Sequence, residues 1–206
     1  MEREIRQQLV HYGASFYQRC YSVGSAGNMS VRLSDGTILA SPTNSSLGQL
    51  DANRLSKVSI EGNQISGDKM SKEIPFHLAL YRKRPDIHSV VHLHSPYLTA
   101  LSCLKELDEH NVIHAFTPYY VMKVGHMPLI PYFKPGSQKI ADALSEKAHL
   151  SNAFLLRNHG PVVIGKTLKE AVHAMEELEE TAKLVFILKN SPVRYLTDNE
   201  ITELKS

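Results

Sequence analysis

The chain has 206 residues, a formal net charge of +2 and ordinary apolar and charged fractions, which suits one well-buried core and is short for two. With no long Lys/Arg block, nothing in the charge demands nucleic acid or an anionic membrane as a partner. No apolar run approaches the ~20 residues that span a bilayer, and the charged opening MEREIRQQLVHYG lacks the apolar stretch of a signal peptide.

Residues 2 to 20 place Ile5, Leu9, Tyr12, Phe16 and Cys20 at steps of three and four, which predicts an amphipathic helix. Two strand-like runs, NMSVRL and TILASP, flank Asp35-Gly36, a hairpin turn signal. A polar loop, a strand LSKVSI and a turn at EGNQ follow. A helix is expected over 73 to 84, where Ile74, His77, Leu78 and Tyr81 repeat, with Pro85 as its stop. SVVHLHSPYL, residues 89 to 98, reads as an apolar strand ended by Pro96, which opens a helix over 96 to 104. HAFTPYYVMKVG and MPLIPYF read as extended and partly loop. A further amphipathic helix covers 136 to 148, and AFLLRNHGPVVIG reads as two strands bent at His159-Gly160-Pro161. The last helix, 167 to 189, carries Leu168, Ala171, Val172, Met175, Leu178, Ala182 and Val185 on one stripe. The six residues after Glu200 either order over a site or fray. Without repeats, linkers or a composition break, residues 1 to 206 read as a single α/β domain with a mostly antiparallel or mixed sheet. Cys20 and Cys103 form no CxxC pair, so both are expected to be packed, reduced thiols of a cytoplasmic protein.

Eleven histidines are unusual, and His92 and His94 interrupt the apolar strand two residues apart. Strand side chains i and i+2 share a face about 7 Å apart. Two neutral imidazoles side by side in a core need partners for their nitrogens, since an unpaired buried one costs ~1–3 kcal/mol. A divalent cation satisfies both, and catalytic zinc typically takes three protein ligands with one position open. His159, at a strand end before a Gly-Pro bend, is the candidate third ligand; His11, His77, His110, His149 and His173 lie on or near helices and are weaker, with His77 read as helix packing. Glu73, just before the His92 strand, is the candidate carboxylate: a metal ligand while substrate is absent and a general acid/base once substrate displaces it. GSAGN (24 to 28) and SPTNSS (41 to 46) are small polar turns between strands, and Ser71-Lys72 stand at a helix start. Hydroxyls, a cation and backbone N–H groups in such places suit a phosphate, provided the loops meet near the metal.

Together, GSAGNMSVR, SPT, SKE, HLHS, TPYY and RNHG occur in an order and spacing that resemble the class II aldolase/adducin family over nearly the whole chain. The resemblance implies a three-layer α/β/α sandwich around a mixed, largely antiparallel sheet, assembled as a homotetramer with sites between subunits. It implies metal ligands at His92, His94 and His159, with Zn2+ or another divalent ion bound, and the acid/base at Glu73. Phosphate contacts fall on Asn28, Thr43 and Ser71, with Asn44 and Lys72 in neighbouring contact positions, and a cross-subunit tyrosine falls on Tyr119 or Tyr120. Within the family, HYGASFYQRCYSVGSAGN, SKEIPFHLALYRKRPD and LLRNHGPVV are most similar to the 3-oxo-tetronate 4-phosphate decarboxylases. Sugar-phosphate aldolases usually have Ser-Ser-Glu where this chain has Ser71-Lys72-Glu73, and Thr-Gly at Thr43-Asn44; pentulose-phosphate 4-epimerases tend to carry Asp at position 73. The implied reaction is decarboxylation of a phosphorylated small-molecule substrate to dihydroxyacetone phosphate and carbon dioxide, through an enediolate that Glu73 protonates. A fuculose-phosphate-like aldolase is the alternative, and an adducin-like binding module without catalysis is the alternative of another class.

Overall fold

The computed structural model describes residues 2–206, and its frame is one eight-stranded sheet. The strands are β1 (Asn28–Arg32), β2 (Ile38–Ala40), β3 (Ser56–Val58), β4 (Gln64–Ser66), β5 (Ser89–His92), β6 (Leu129–Ile130), β7 (Ala153–Leu156) and β8 (Gly160–Gly165). Their order is β4-β3-β2-β1-β5-β8-β7-β6, antiparallel throughout except for the parallel pair β6–β7. The helices are α1 (Glu2–Gln18), α2 (Ile74–Lys83), α3 (Pro96–Ser102), α4 (Pro118–Lys123), α5 (Gln138–Lys147), α6 (Leu168–Ile187) and α7 (Asp198–Glu203).

Strand alternation divides the apolar residues between two cores, as side chains pointing to opposite faces of a sheet require. Met29, Val31, Leu39, Val91, Leu93, Leu155 and Val163 point to one face and pack under α1, α3, α4 and α6. Ile38, Val58, Val90, Phe154, Val162 and Ile164 point to the other and pack under α2 and α5. With both faces covered, the expected three-layer α/β/α sandwich is what forms. None of the helices among the described residues is long and apolar enough to cross a membrane.

Several local expectations are corrected. The strand holding the histidine pair ends at His92, because Ser95-Pro96 already begins α3 and the chain leaves the ladder first. His94 therefore stands beyond β5. Gln64–Ser66 adds a fourth strand past the EGNQ turn, and Pro118–Lys123, read as extended, is a helix capped by the Thr117 hydroxyl, which accepts from Tyr120 N. Pro118 at the first helical turn is favourable there, since its missing N–H would be unpaired anyway. The β7–β8 bend turns on Arg157 to His159, with Asn158 at φ 53, so Gly160 and Pro161 already belong to β8. Residues 198–203 form α7, closed by a reciprocal Thr197–Glu200 capping box. Both cysteines are free, but exposed rather than packed, since neither falls on an inward-facing position.

Candidate active site

The site lies where β1, β5 and β8 end under the start of α2. Asn28 is the cross-strand partner of His92, and His92 that of Val162, so these side chains share the α2 face. Residues four apart on a helix climb about 6 Å, and residues two apart on a strand about 6.6 Å. Glu73, His77 and Tyr81 on one stripe of α2 thus match Asn28 and Ser30 on β1 as a ladder. Asn28 Nδ2 donates to Glu73 Oε2 at 2.7 Å, and Asn28 Oδ1 lies 2.5 Å from His77 Nε2. Ser30 Oγ sits 2.8 Å from His77 Nδ1 and 2.9 Å from the Tyr81 hydroxyl, which also donates to Ser30 O at 2.9 Å.

His92, His94 and His159 present ring nitrogens that all lie within 4.8 Å of one another. His92 Nδ1 donates to the Pro161 carbonyl at 2.8 Å, which leaves its Nε2 lone pair facing the centre, 3.1 Å from His94 Nε2. Glu73 closes the group, its Oε1 3.4 Å from His159 Nε2 and its Oε2 3.6 Å from His92 Nε2. Burial pushes all three imidazoles below their ordinary range, most strongly His92, where the neighbouring His159 and His94 add to the effect. Neutral imidazoles are the form that binds a metal. His159 Nε2 is buried with no hydrogen-bond partner, so a donor set of three imidazole nitrogens and a carboxylate is aimed at one point with one member unsatisfied. Those residues fit a divalent cation, and they fit zinc by nitrogen and oxygen chemistry.

Asn28, Thr43, Asn44, Ser71, Lys72, Glu73, His94 and His159 line one cavity of about 630 Å³, whereas His92 is fully buried behind it. The three loops proposed for a phosphate therefore do meet beside the histidines. Ser71 Oγ accepts from Glu73 N at 3.2 Å, and Lys72 is exposed at the cavity wall. Asn44 has φ 56, in the left-handed region where Gly and Asn are tolerated, which accounts for Asn standing where aldolases usually have Gly. Neither tyrosine lines this cavity. Tyr120 is fully buried with its hydroxyl on Asn111 Oδ1 at 3.1 Å, while Tyr119 on α4 is 60% exposed.

Two residues escaped the sequence reading. His77 is a member of the polar ladder rather than packing alone, and its Glu73–His77–Tyr81 spacing was the available signal. Glu179 on α6 is buried and accepts from Ser95 Oγ at 2.6 Å, Tyr97 N at 2.7 Å and Leu98 N at 3.0 Å. It ties down the start of α3 directly after His94. A charged residue set into the apolar stripe between Leu178 and Ala182 was its signal.

Residues 7–186 match the family described as Class II Aldolase and Adducin N-terminal domain. The 3-oxo-tetronate 4-phosphate decarboxylase of Escherichia coli (strain K12) is 57% identical over 206 residues, covering 100% of this chain and 97% of that protein. The L-fuculose phosphate aldolase of Methanocaldococcus jannaschii is 35% identical over 182 residues, 88% of this chain and 96% of that protein. Among solved structures, YgbL from Escherichia coli superposes with a TM-score of 0.98 at 56% identity, over 100% of this chain and 99% of that one.

Proposed function

The chain belongs to the class II aldolase and adducin family, and from that premise we propose that it decarboxylates 3-oxo-tetronate 4-phosphate to dihydroxyacetone phosphate and carbon dioxide. The observation that carries the reading is full-length identity of 57% to a decarboxylase of that name, with the cavity residues described above all in place. Residues 1 to 206 act as one such domain, in the cytoplasm, where two free exposed thiols are at home.

His92, His94 and His159 would hold a divalent ion, zinc in this reading, with Glu73 as a further ligand before substrate arrives. Such an ion supplies Lewis-acid stabilisation of the negative charge that develops on the ketone oxygen. The chain's own groups do the rest. Thr43, Asn44 and Ser71, with Asn28 at the cavity floor, bind the phosphate and turn the scissile bond perpendicular to the carbonyl plane. Lys72, on the cavity wall, meets the substrate carboxylate. When the bond to the carboxylate breaks, its electron pair enters the ketone to give an enediolate, and carbon dioxide leaves. Glu73, displaced by substrate and protonated from water, then gives that proton to the carbon that lost the carboxylate. Tyr119, exposed on α4, is the tyrosine offered to a neighbouring subunit of a homotetramer.

An aldolase reading draws on the 35% identity to the archaeal L-fuculose phosphate aldolase, because cleaving a ketose phosphate leaves the same enediolate. Product analysis separates the two. The zinc-loaded protein is expected to release carbon dioxide from 3-oxo-tetronate 4-phosphate with dihydroxyacetone phosphate in equal amount, and a chelator-treated sample is not. No release from either stereoisomer, with metal bound, overturns the decarboxylase and favours the aldolase.

A further inference from the structure

The geometry points to His77 as a positioning residue for the acid/base: it holds the Asn28 carboxamide in the one orientation that presents an N–H to Glu73. This deepens the reading of Glu73 as the group that protonates the enediolate, and it rests on that reading.

The polarity of the ladder follows from its ends. Asn28 Nδ2 donates to Glu73 Oε2 at 2.7 Å, which leaves the amide oxygen for His77. The Asn28 oxygen then faces His77 Nε2 at 2.5 Å, which must carry the hydrogen. Burial pushes His77 down to about 3, with the nearby His92 adding to the effect, so the ring is neutral and its Nδ1 accepts from the Ser30 hydroxyl at 2.8 Å. The Tyr81 hydroxyl donates to the Ser30 carbonyl at 2.9 Å and lies 2.9 Å from Ser30 Oγ. The orientations of Asn28, His77 and the Ser30 hydroxyl are thus fixed in turn by the bonds between them.

Glu73 needs this support. It stands at the start of α2 with no capping bond from its own side chain, so Asn28 is its one hydrogen-bond donor of fixed direction beside the imidazoles. Tied through Oε2, the carboxylate keeps Oε1 toward His159 and the cavity. A flipped Asn28 would set its oxygen against the carboxylate and turn it away from the reacting carbon. Phe76 stacks on the His77 ring at 4.6 Å between centroids, so the ring itself is held in place. His77 touches no part of the cavity and acts only through Asn28.

The test uses the zinc-loaded enzyme and dihydroxyacetone phosphate in D2O. Glu73 removes a proton from the hydroxymethyl carbon and returns a deuteron, a step common to a decarboxylase and an aldolase. Exchange is followed by NMR, alongside metal content, the ligand concentration at half-maximal rate and thermal unfolding. His77→Leu is expected to slow saturated exchange tenfold or more, with metal content within twofold of wild type and half-saturation, to which Asn28 also contributes, changed by less than the rate. His77→Gln, whose amide can stand where the Nε2–H stands, is expected to recover exchange to within threefold. A His77→Leu enzyme that exchanges at the wild-type rate overturns the proposal. So does a loss confined to half-saturation or metal content, or a Gln variant as slow as Leu. Should His77→Leu fail to fold, Ser30→Ala decides: it removes the donor to Nδ1 and is expected to slow exchange about threefold, and an unchanged rate overturns the role. If the wild-type enzyme itself shows no exchange, the enediolate reading fails first, and this inference falls with it.

Discussion

Gly160 sits where the two halves of the histidine cluster are pressed together. A Cβ placed on it would lie 2.3 Å from the Leu93 carbonyl oxygen, where real Cβ contacts do not fall below 3.0 Å. Gly160→Ala thus forces the two backbones apart by at least about 0.7 Å, the difference between those distances, because a carbonyl in a strand-end turn cannot swing aside like a side chain. Leu93 precedes His94 and Gly160 follows His159, whose rings lie 4.8 Å apart between centroids. Metal–nitrogen distances tolerate only about 0.2 Å, so a displacement of this size should open the cluster and weaken zinc by ~10–100-fold. The fold should lose ~1–3 kcal/mol as well. Zinc affinity is read by competition with a chromophoric chelator, and stability by urea unfolding. Gly36→Ala is the control: its φ of +82 strains an alanine, but nothing lies within 4 Å of the added carbon. It should cost ~1 kcal/mol and leave zinc affinity within twofold. A Gly160→Ala protein that binds zinc within threefold of wild type would refute the close-approach argument.

Glu73→Gln should retain its metal yet slow product formation by ~10²-fold or more, since the amide cannot deliver the proton; single-turnover assays with metal analysis check it. Acid should expose the buried His77. An unfolded chain takes up that proton below pH 6.5 and the fold only near pH 3, so stability falls as pH drops through that window. At pH 5 the loss from this ring is ~2 kcal/mol, from 1.5 pH units at about 1.36 kcal/mol each, and His77→Gln should lack that part of the decline between pH 7 and 5 in urea titrations. Glu179→Ala strands two N–H groups and the Ser95 hydroxyl, so a loss of ~3 kcal/mol or more with weakened zinc binding is expected; unchanged zinc affinity would separate α3 from the placement of His94. Lys72→Ser should raise the KM for the carboxylate substrate by ~2–5-fold, the worth of an exposed charge pair, while deuterium exchange into dihydroxyacetone phosphate stays within twofold. A raised half-saturation for dihydroxyacetone phosphate as well would place Lys72 on the phosphate.

One core was expected and two form, because the continuous apolar runs of β5 and β8 are buried on both faces and feed both layers. The stripe of α6 was legible from its period alone. The histidine cluster was legible for a local reason: His92 and His94 are close in sequence, and the bend expected at His159-Gly160-Pro161 set His159 at a strand end, although the turn itself runs over Arg157 to His159. What could not be read were pairings across long separations. His77 meets Asn28 49 residues away, and Glu179 meets Ser95 84 residues away. A helical period says that a polar side chain faces inward, but not what it faces. Pro118–Lys123 failed differently. Its Thr-Pro start is a helix signal, yet six residues among prolines give periodicity too little length to register.

The supports of the site are unequal in kind, and the difference bears on chemistry. Of the imidazoles proposed to hold the metal, two are placed by main chain: His92 by the Pro161 carbonyl and His159 by the turn whose neighbour Gly160 closely approaches Leu93, while His94 follows a helix start held by the Glu179 side chain. Main-chain anchors resist small changes of side chain, which suits a cation that must be held rigidly whatever bond is broken. Glu73 is placed instead by a run of side-chain hydrogen bonds whose direction depends on the protonation of each member. Such a run can be lost at a single residue without unfolding the sheet. The proposed enediolate step should therefore be sensitive to the ladder behind Glu73. The choice between losing carbon dioxide and losing an aldehyde should instead lie with the open wall of the cavity, where Lys72 replaces the serine usual in aldolases. Substitutions on that wall should change which substrate is cleaved, and substitutions in the ladder should slow every substrate alike.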